Sequence, residues 1–266
     1  MRTAKALALF TVLALAPLAS SQIPAPASTT TPINVYDGFE TPTLSPLWET
    51  SRLELSSIQM ESHTVRAGHQ AIAITVHPHD QFETGHNGDL DSERDELLEA
   101  RALYARQGVP YEYSFSMFFP ADFPIVPTRV VIAQWKDYCG DKTKPCDGDS
   151  PVLAFRYISG ELLLTQDLDR HHIILWRKSG DFRNRWLDFR IRARFQPDEH
   201  GRVQIWLNNE PILDYTGLTL NHPGASGYPE QGHIYFKMGL YRDVMQPPMT
   251  VYIDEYRKRQ LRDDEV

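Results

Sequence analysis

Polar and apolar residues alternate with a period of two along much of this chain. From Trp186 to Phe195 the arginines face one way and the apolar residues the other, the pattern of a strand with one buried face. Arg202–Leu207 alternates again, and Asn208-Asn209 predicts a tight hairpin turn into Glu210–Tyr215. Further strands are predicted over Glu112–Phe119, Arg129–Trp135, Ile234–Tyr241 and Thr250–Tyr256. Glu93–Ala105 fits a helix as well as a strand, and the local pattern leaves both open. Many short strands and no long helix predict an all-β fold, a jelly-roll sandwich of two antiparallel sheets with one concave, open face. Alternation places Trp135, Trp186 and Trp206 in the core.

The ends of the chain read differently. Met1–Lys5 carries two positive charges, Ala6–Leu18 is apolar but for Thr11 and Pro17, and Ala19-Ser20-Ser21 are small. That is a secretory signal peptide over residues 1–21, too short to span a membrane. Residues 22–32, rich in Pro, Ser, Thr and Ala, read as an unstructured leader. The folded domain is expected over 33–258, with a charged tail over 259–266 that frays. The expected location is therefore secreted or periplasmic, as a monomer.

Losing Arg2 and Lys5 takes the formal charge from -8 to -10. Such a chain gains nothing from the counterion release that drives nucleic-acid binding. An anionic ligand must be held by a local cluster of Arg and Lys against the overall field. Cys139 and Cys146 bracket a polar loop, and in an oxidising compartment a disulfide closing that loop is expected.

Three segments collect chemistry on strand faces. Arg94 and Glu96 share a face, Gln134 and Lys136 share a face, and Tyr235, Lys237, Gly239 and Tyr241 line one side of a strand, opposite Phe236, Met238, Leu240 and Arg242. A core-facing surface would not hold several unpaired cations. An open face that binds an anionic chain could.

The triplet Arg-x-Glu-Leu, Gln-x-(basic) and Tyr-Phe-Lys-x-Gly-x-Tyr at these positions resembles the jelly-roll polysaccharide lyases. That group includes the family 7 alginate lyases, the glucuronan lyases and the heparin lyase I group. Asp37-Gly38-Phe39-Glu40, Val65-Arg66-Ala67-Gly68, Trp206-Leu207-Asn208 and Val251-Tyr252-Ile253-Asp254-Glu255 fall in the matching order, so the resemblance spans residues 35–258. It is nearer the glucuronan and heparin lyase side. The resemblance implies a concave substrate cleft and β-elimination in an acidic polysaccharide, probed at its glucuronic acid units.

In that chemistry the C5 proton of a uronic acid becomes removable only when the adjacent carboxylate is neutralised. Arg94, Gln134 and Lys136 are the residues for that role. Tyr241 matches the family's acid and base tyrosine, which needs a cationic neighbourhood to act as a base at neutral pH. Glu96, Lys237, Arg242 and Tyr235 are assigned to substrate binding. One departure stands out: where relatives carry Gln-x-His, this chain has Gln134-Trp135-Lys136. His86 is the first substitute for that histidine, and His171 and His172 are the second.

The resemblance also implies a structural Ca²⁺ held by Glu40 and Asp254, with Asp37 nearby and backbone carbonyls completing the shell. Two other readings compete. A non-catalytic carbohydrate-binding jelly roll shares the architecture. A glycoside hydrolase needs two carboxylates flanking the bond, and no strand supplies such a pair.

Overall fold

The computed structural model describes residues 31–85, 88–138, 150–223 and 232–266. The signal segment, most of the leader, His86 and the Cys139–Cys146 pair lie outside the described residues. In chain order the strands are β1 (Asn34–Asp37), β2 (Trp48–Glu49), β3 (Ile58–Glu61), β4 (Ala71–Val76), β5 (Ser92–Glu99), β6 (Ala105–Arg106), β7 (Pro110–Phe119) and β8 (Val130–Tyr138). They continue as β9 (Leu153–Ile158), β10 (Glu161–Leu168), β11 (His171–Ser179), β12 (Arg185–Arg194), β13 (Arg202–Leu207), β14 (Glu210–Thr216), β15 (His233–Asp243) and β16 (Met249–Gln260).

Two sheets of eight strands result. The first runs β14-β13-β12-β7-β16-β4-β3 with β1 on β16, and the second runs β11-β10-β9-β8-β15-β5-β2 with β6 on β15. Every ladder between their named strands lies within one sheet and is antiparallel. This is the expected jelly-roll sandwich. Among the described residues no helix is long and apolar enough to cross a membrane.

The inner faces meet through aromatic rings. Phe236 of the second sheet stacks on Tyr256 of the first at 5.9 Å, and Tyr113 meets Trp135 edge-on at 5.5 Å. The hairpin at Asn208-Asn209 forms as expected, with φ of 52° and 65°, the left-handed pair that a two-residue turn demands. The ambiguous stretch is strand β5 followed by a short 3₁₀ turn, Arg101–Leu103.

Two expectations need correction. Trp186 and Trp206 are half-buried on the outer face of the first sheet, not in the core. In β12 the inward positions belong to Leu187, Phe189 and Ile191, so Trp186 falls in step with the arginines. The charged end of the chain does not fray either. β16 runs to Gln260, and Asp263–Glu265 form a 3₁₀ turn. Arg259 bridges Glu112 and Glu265, each at 3.0 Å.

Charge is buried between the sheets as well. Lys258 of β16 donates to both carboxylate oxygens of Glu99 on β5 at 2.9 Å, and both side chains are 0% exposed. Tyr256 Oη and the backbone N–H of Phe236 also donate to Glu99. A buried pair is stable only when both partners stay. On the same side of β5, Asp95 accepts the Glu54 N–H at 2.6 Å and shares a hydrogen bond with Asp80. Burial, reinforced by Asp80, pushes Asp95 up to about 8.

Lys258→Ala strands Glu99 in the core and is expected to cost about 3–5 kcal/mol in denaturant unfolding, whereas Glu99→Leu with Lys258→Met stays within about 1–2 kcal/mol of the parent. Asp95 gives a pH effect of defined sign. The folded chain keeps this proton up to about 8, while the unfolded chain loses it near the usual value of about 4. Between those values the folded state binds more protons, so stability falls as pH rises. Thermal melts from pH 5 to 8 should show a smaller decline for Asp95→Asn than for the parent; an equal decline would remove Asp95 from the account.

Candidate active site

The central strands β5, β15 and β8 of the second sheet carry the motif residues, and their register brings these together. Tyr241 pairs with Arg94 on one side and Val131 on the other, while Lys237 pairs with Gln134. Gly239 lies between them at φ 138°, and a Cβ there would stand 2.4 Å from the carbonyl oxygen of Asp95. Only glycine tolerates both the conformation and the approach. The register against β8 shifts between Met238 and Tyr241, a bulge of the kind that re-aims side chains beside active sites.

Under this face lies a buried carboxylate. Glu96 accepts hydrogen bonds from Gln134 Nε2 and, at 2.8 Å, from Lys237 Nζ, with Arg94 at 3.8 Å. Glu96, Gln134 and Lys237 are all at most 3% exposed. Burial opposes ionisation of Glu96, but Lys237 and then Arg94 outweigh it and hold the carboxyl below its usual range. Burial likewise pushes Lys237 down to about 8, against the pull of Glu96. The result is a fixed floor: Gln134 cannot rotate its amide without losing Glu96.

Above that floor stands Tyr241, half-buried, with Arg94 4.1 Å and Arg129 4.7 Å from its ring centroid. Arg94 is paired with Glu83, and Arg129 pairs with Asp243 at 2.6 Å. Tyr241 and Gln134 line a cavity of about 670 Å³ together with Arg129, Arg156, Ser92 and Glu83. Arg156 of β9 donates to Thr165 at 3.0 Å, and its nearest carboxylate, Asp167, is 3.9 Å away. Burial draws the Arg156 guanidinium below its usual range, against the attraction of Asp167. An anion in the cavity would relieve that cost.

The motif residues therefore divide. Tyr241 and Gln134 line the cavity, Arg94 lies against the Tyr241 ring, and Glu96 and Lys237 are buried beneath that face. Lys136 and Tyr235 face each other across β8 and β15, further along the same sheet face. Tyr235 packs there on Tyr104 at 5.5 Å. Arg242 does not bind at this face: it turns inward, 0% exposed, to pair with Glu93 at 2.6 Å and to donate to the carbonyl of Pro247. A cation at an inward position needs an inward anion, and β5 supplies Glu93 directly opposite. His171 and His172 lie on edge strand β11, with His172 held by Asp167 at 2.7 Å. Four strand spacings of ~4.8 Å separate β11 from β15, too far for proton exchange with a substrate at Tyr241.

Arg129 and Arg156 were not anticipated from the sequence. Arg156 was detectable as the lone cation at an outward position of Leu153–Ile158, an otherwise apolar strand. Arg129 precedes an apolar strand and carries no such signal.

The carboxylates expected to hold calcium accept hydrogen bonds from nearby donors. Asp37 accepts from Phe39 N–H at 2.9 Å and Trp48 Nε1 at 2.8 Å. Glu40 accepts from His69 N–H at 2.8 Å, and Asp254 from the N–H groups of Arg66, Ala67 and Glu255 at 2.9, 3.1 and 2.8 Å. These carboxylates tie loops to strands through backbone and indole donors. Among the described residues no three acidic, histidine or cysteine side chains gather to hold a metal.

Known proteins share this architecture. An endo-β-1,4-glucuronan lyase from the fungus Trichoderma reesei superposes with a TM-score of 0.62 at 16% identity, covering 80% of this chain and 91% of that one. An alginate lyase of polysaccharide lyase family 7 gives 0.51 at 15% identity, covering 81% and 100%. A cellulose-induced protein gives 0.53 at 11% identity, covering 84% and 96%. At these identities the likeness speaks for the fold alone. No curated protein matches the sequence. The family model described as polysaccharide lyase, however, matches residues 39–257, nearly all of the folded domain. On that match the chain belongs to the polysaccharide lyase family, and the protein is a polysaccharide lyase.

Proposed function

We propose that this lyase cleaves a glucuronic-acid-containing polysaccharide by β-elimination, outside the cytoplasm, with Tyr241 as both base and acid. The observation that carries the reading is the position of Tyr241: in the cavity wall, with the guanidiniums of Arg94 and Arg129 against its ring and Gln134 lining the same cavity.

The chemistry follows from those groups. Gln134, fixed by Glu96, and the guanidinium of Arg156 receive the substrate carboxylate and stabilise the enediolate that forms as C5 loses its proton. Tyr241 takes that proton. The C5–H electron pair becomes the C4=C5 bond, the C4–O bond breaks, and the departing oxygen collects the proton from Tyr241. Lys136, further along the face, serves the carboxylate of a neighbouring sugar.

Stereochemistry favours glucuronate over iduronate and guluronate. In glucuronic acid the C5 hydrogen and the C4 oxygen lie on the same side of the ring, so one residue can reach both. A polymer with these groups on opposite sides calls for a second proton carrier across the sugar. The family's histidine would stand in that place, and this chain has Lys136 there instead of an imidazole. The similarity to a glucuronan lyase points the same way.

The deciding assay follows ultraviolet absorbance of the unsaturated product on glucuronan, alginate, heparin, heparan sulfate and hyaluronan. Glucuronan is expected to give the signal, and Tyr241→Phe to lower kcat by about 10²–10⁴-fold with the fold retained. Turnover of alginate with none of the glucuronate-containing polymers would reject the substrate, and full activity in Tyr241→Phe would reject the mechanism. A second variant tests the floor. Glu96→Gln should lower kcat by about 10²-fold with little change in KM, and Glu96→Asp should recover part of it, because Glu96 positions Gln134 without touching substrate. Equal loss in both variants with unfolding would reduce Glu96 to a structural residue.

A further inference from the structure

We propose a second, non-catalytic glycan-binding site on the outer face of the first sheet, across the sandwich from the cleft, that takes an acidic polysaccharide chain. The register builds it as one straight row over five neighbouring strands. Trp206 pairs with Arg190, Arg190 with Ser114, Ser114 with Arg257, and Arg257 with Tyr36. Four strand spacings make the row ~19 Å long.

Its ends are aromatic and its middle is cationic. Arg190 lies 4.1 Å over the Trp206 ring and Arg257 lies 5.4 Å over the ring of Tyr36, which is 50% exposed. A guanidinium stacked on a ring keeps its in-plane N–H donors free for a carboxylate. Most other arginines of this face are spent: Arg66 on Asp188, Arg192 and Arg259 on Glu112, Arg202 on Asp214. Arg190 and Arg257 have no ion pair among the described residues, and Arg190 Nε has no hydrogen-bond partner.

Both line a groove of about 310 Å³ floored by Ser114 and Ser116. Two carboxylates edge it, and both are occupied. Asp188 takes two hydrogen bonds from Arg66 at 2.9 and 2.8 Å, and Glu255 takes the Tyr36 hydroxyl at 2.6 Å. Two uncompensated guanidiniums flanking hydroxyls, with flat rings beyond them, match carboxylates spaced along a chain of pyranose rings. A neutral glycan would leave the guanidiniums without partners.

Binding is measured by retardation in native gels containing uncut polymer, in the Tyr241→Phe protein so that cleavage does not enter. Turnover is read separately in the parent protein, so failure of the lyase reading and failure of this one give different results. Glucuronan should retard the protein, dextran should not, and Arg190→Ala with Arg257→Ala should raise Kd for long chains about tenfold or more. In the parent background the same pair should leave turnover of short oligosaccharides unchanged. Unchanged retardation of the double variant overturns the proposal. Equal retention by polyglutamate also overturns it, reducing the row to an anion patch without sugar recognition.

Discussion

Three carboxylates on one strand, β5, hold the cations around which both the interior and the cleft are organised. Glu93 and Glu99 point between the sheets, where they neutralise Arg242 and Lys258; Glu96 points the other way, where it holds Gln134, Lys237 and Arg94. An isolated buried charge costs far more than the net stability of a domain provides, so each of these groups fixes its partner's place. The Lys258–Glu99 pair spans the two sheets, whereas Arg242–Glu93 joins neighbouring strands of one sheet. Rigidity in the core and geometry in the cleft therefore come from one eight-residue segment.

That arrangement explains why the cleft is preorganised before any substrate arrives. The amide of Gln134 is fixed by Glu96, and Tyr241 is confined between Arg94 and Arg129, each of which is tethered in turn by Glu83 and Asp243. Gly239 lets β15 press against β5 closely enough for this to occur. Donors that need no rearrangement stabilise a developing enediolate more than donors that must first be ordered. Arg156 differs, because its anionic partner is distant and its charge costs most when the cavity is empty.

The strands over Glu112–Phe119, Trp186–Phe195 and Arg202–Leu207 and the Asn208-Asn209 turn were legible because period two and turn residues are local properties. What pairs with a charge was not. Arg242 and Lys258 sit in charged-looking stretches, and only the opposed register of β15 on β5 and the packing of β16 against that sheet turn them into core residues. Trp186 and Trp206 failed for the opposite reason: the alternation was taken to carry the rings inward, but Trp186 keeps step with Arg190 and Arg192, and Trp206 with Arg202 and Gln204, so both face out.

The overall charge and the cleft pull in opposite directions, and the range of each decides how they combine. The chain carries a formal charge of -8, while the anion-facing groups are guanidiniums clustered in one cavity. Long-range repulsion between an acidic protein and an acidic polymer is screened beyond ~8 Å at physiological ionic strength. Contacts inside a half-buried cavity, where water and ions are thinned, are screened far less. Moderate salt therefore removes the repulsion that opposes encounter while sparing the contacts that hold the sugar carboxylate. An acidic surface and a cationic cleft are in this way compatible, and together they select against polyanions that can only touch the surface.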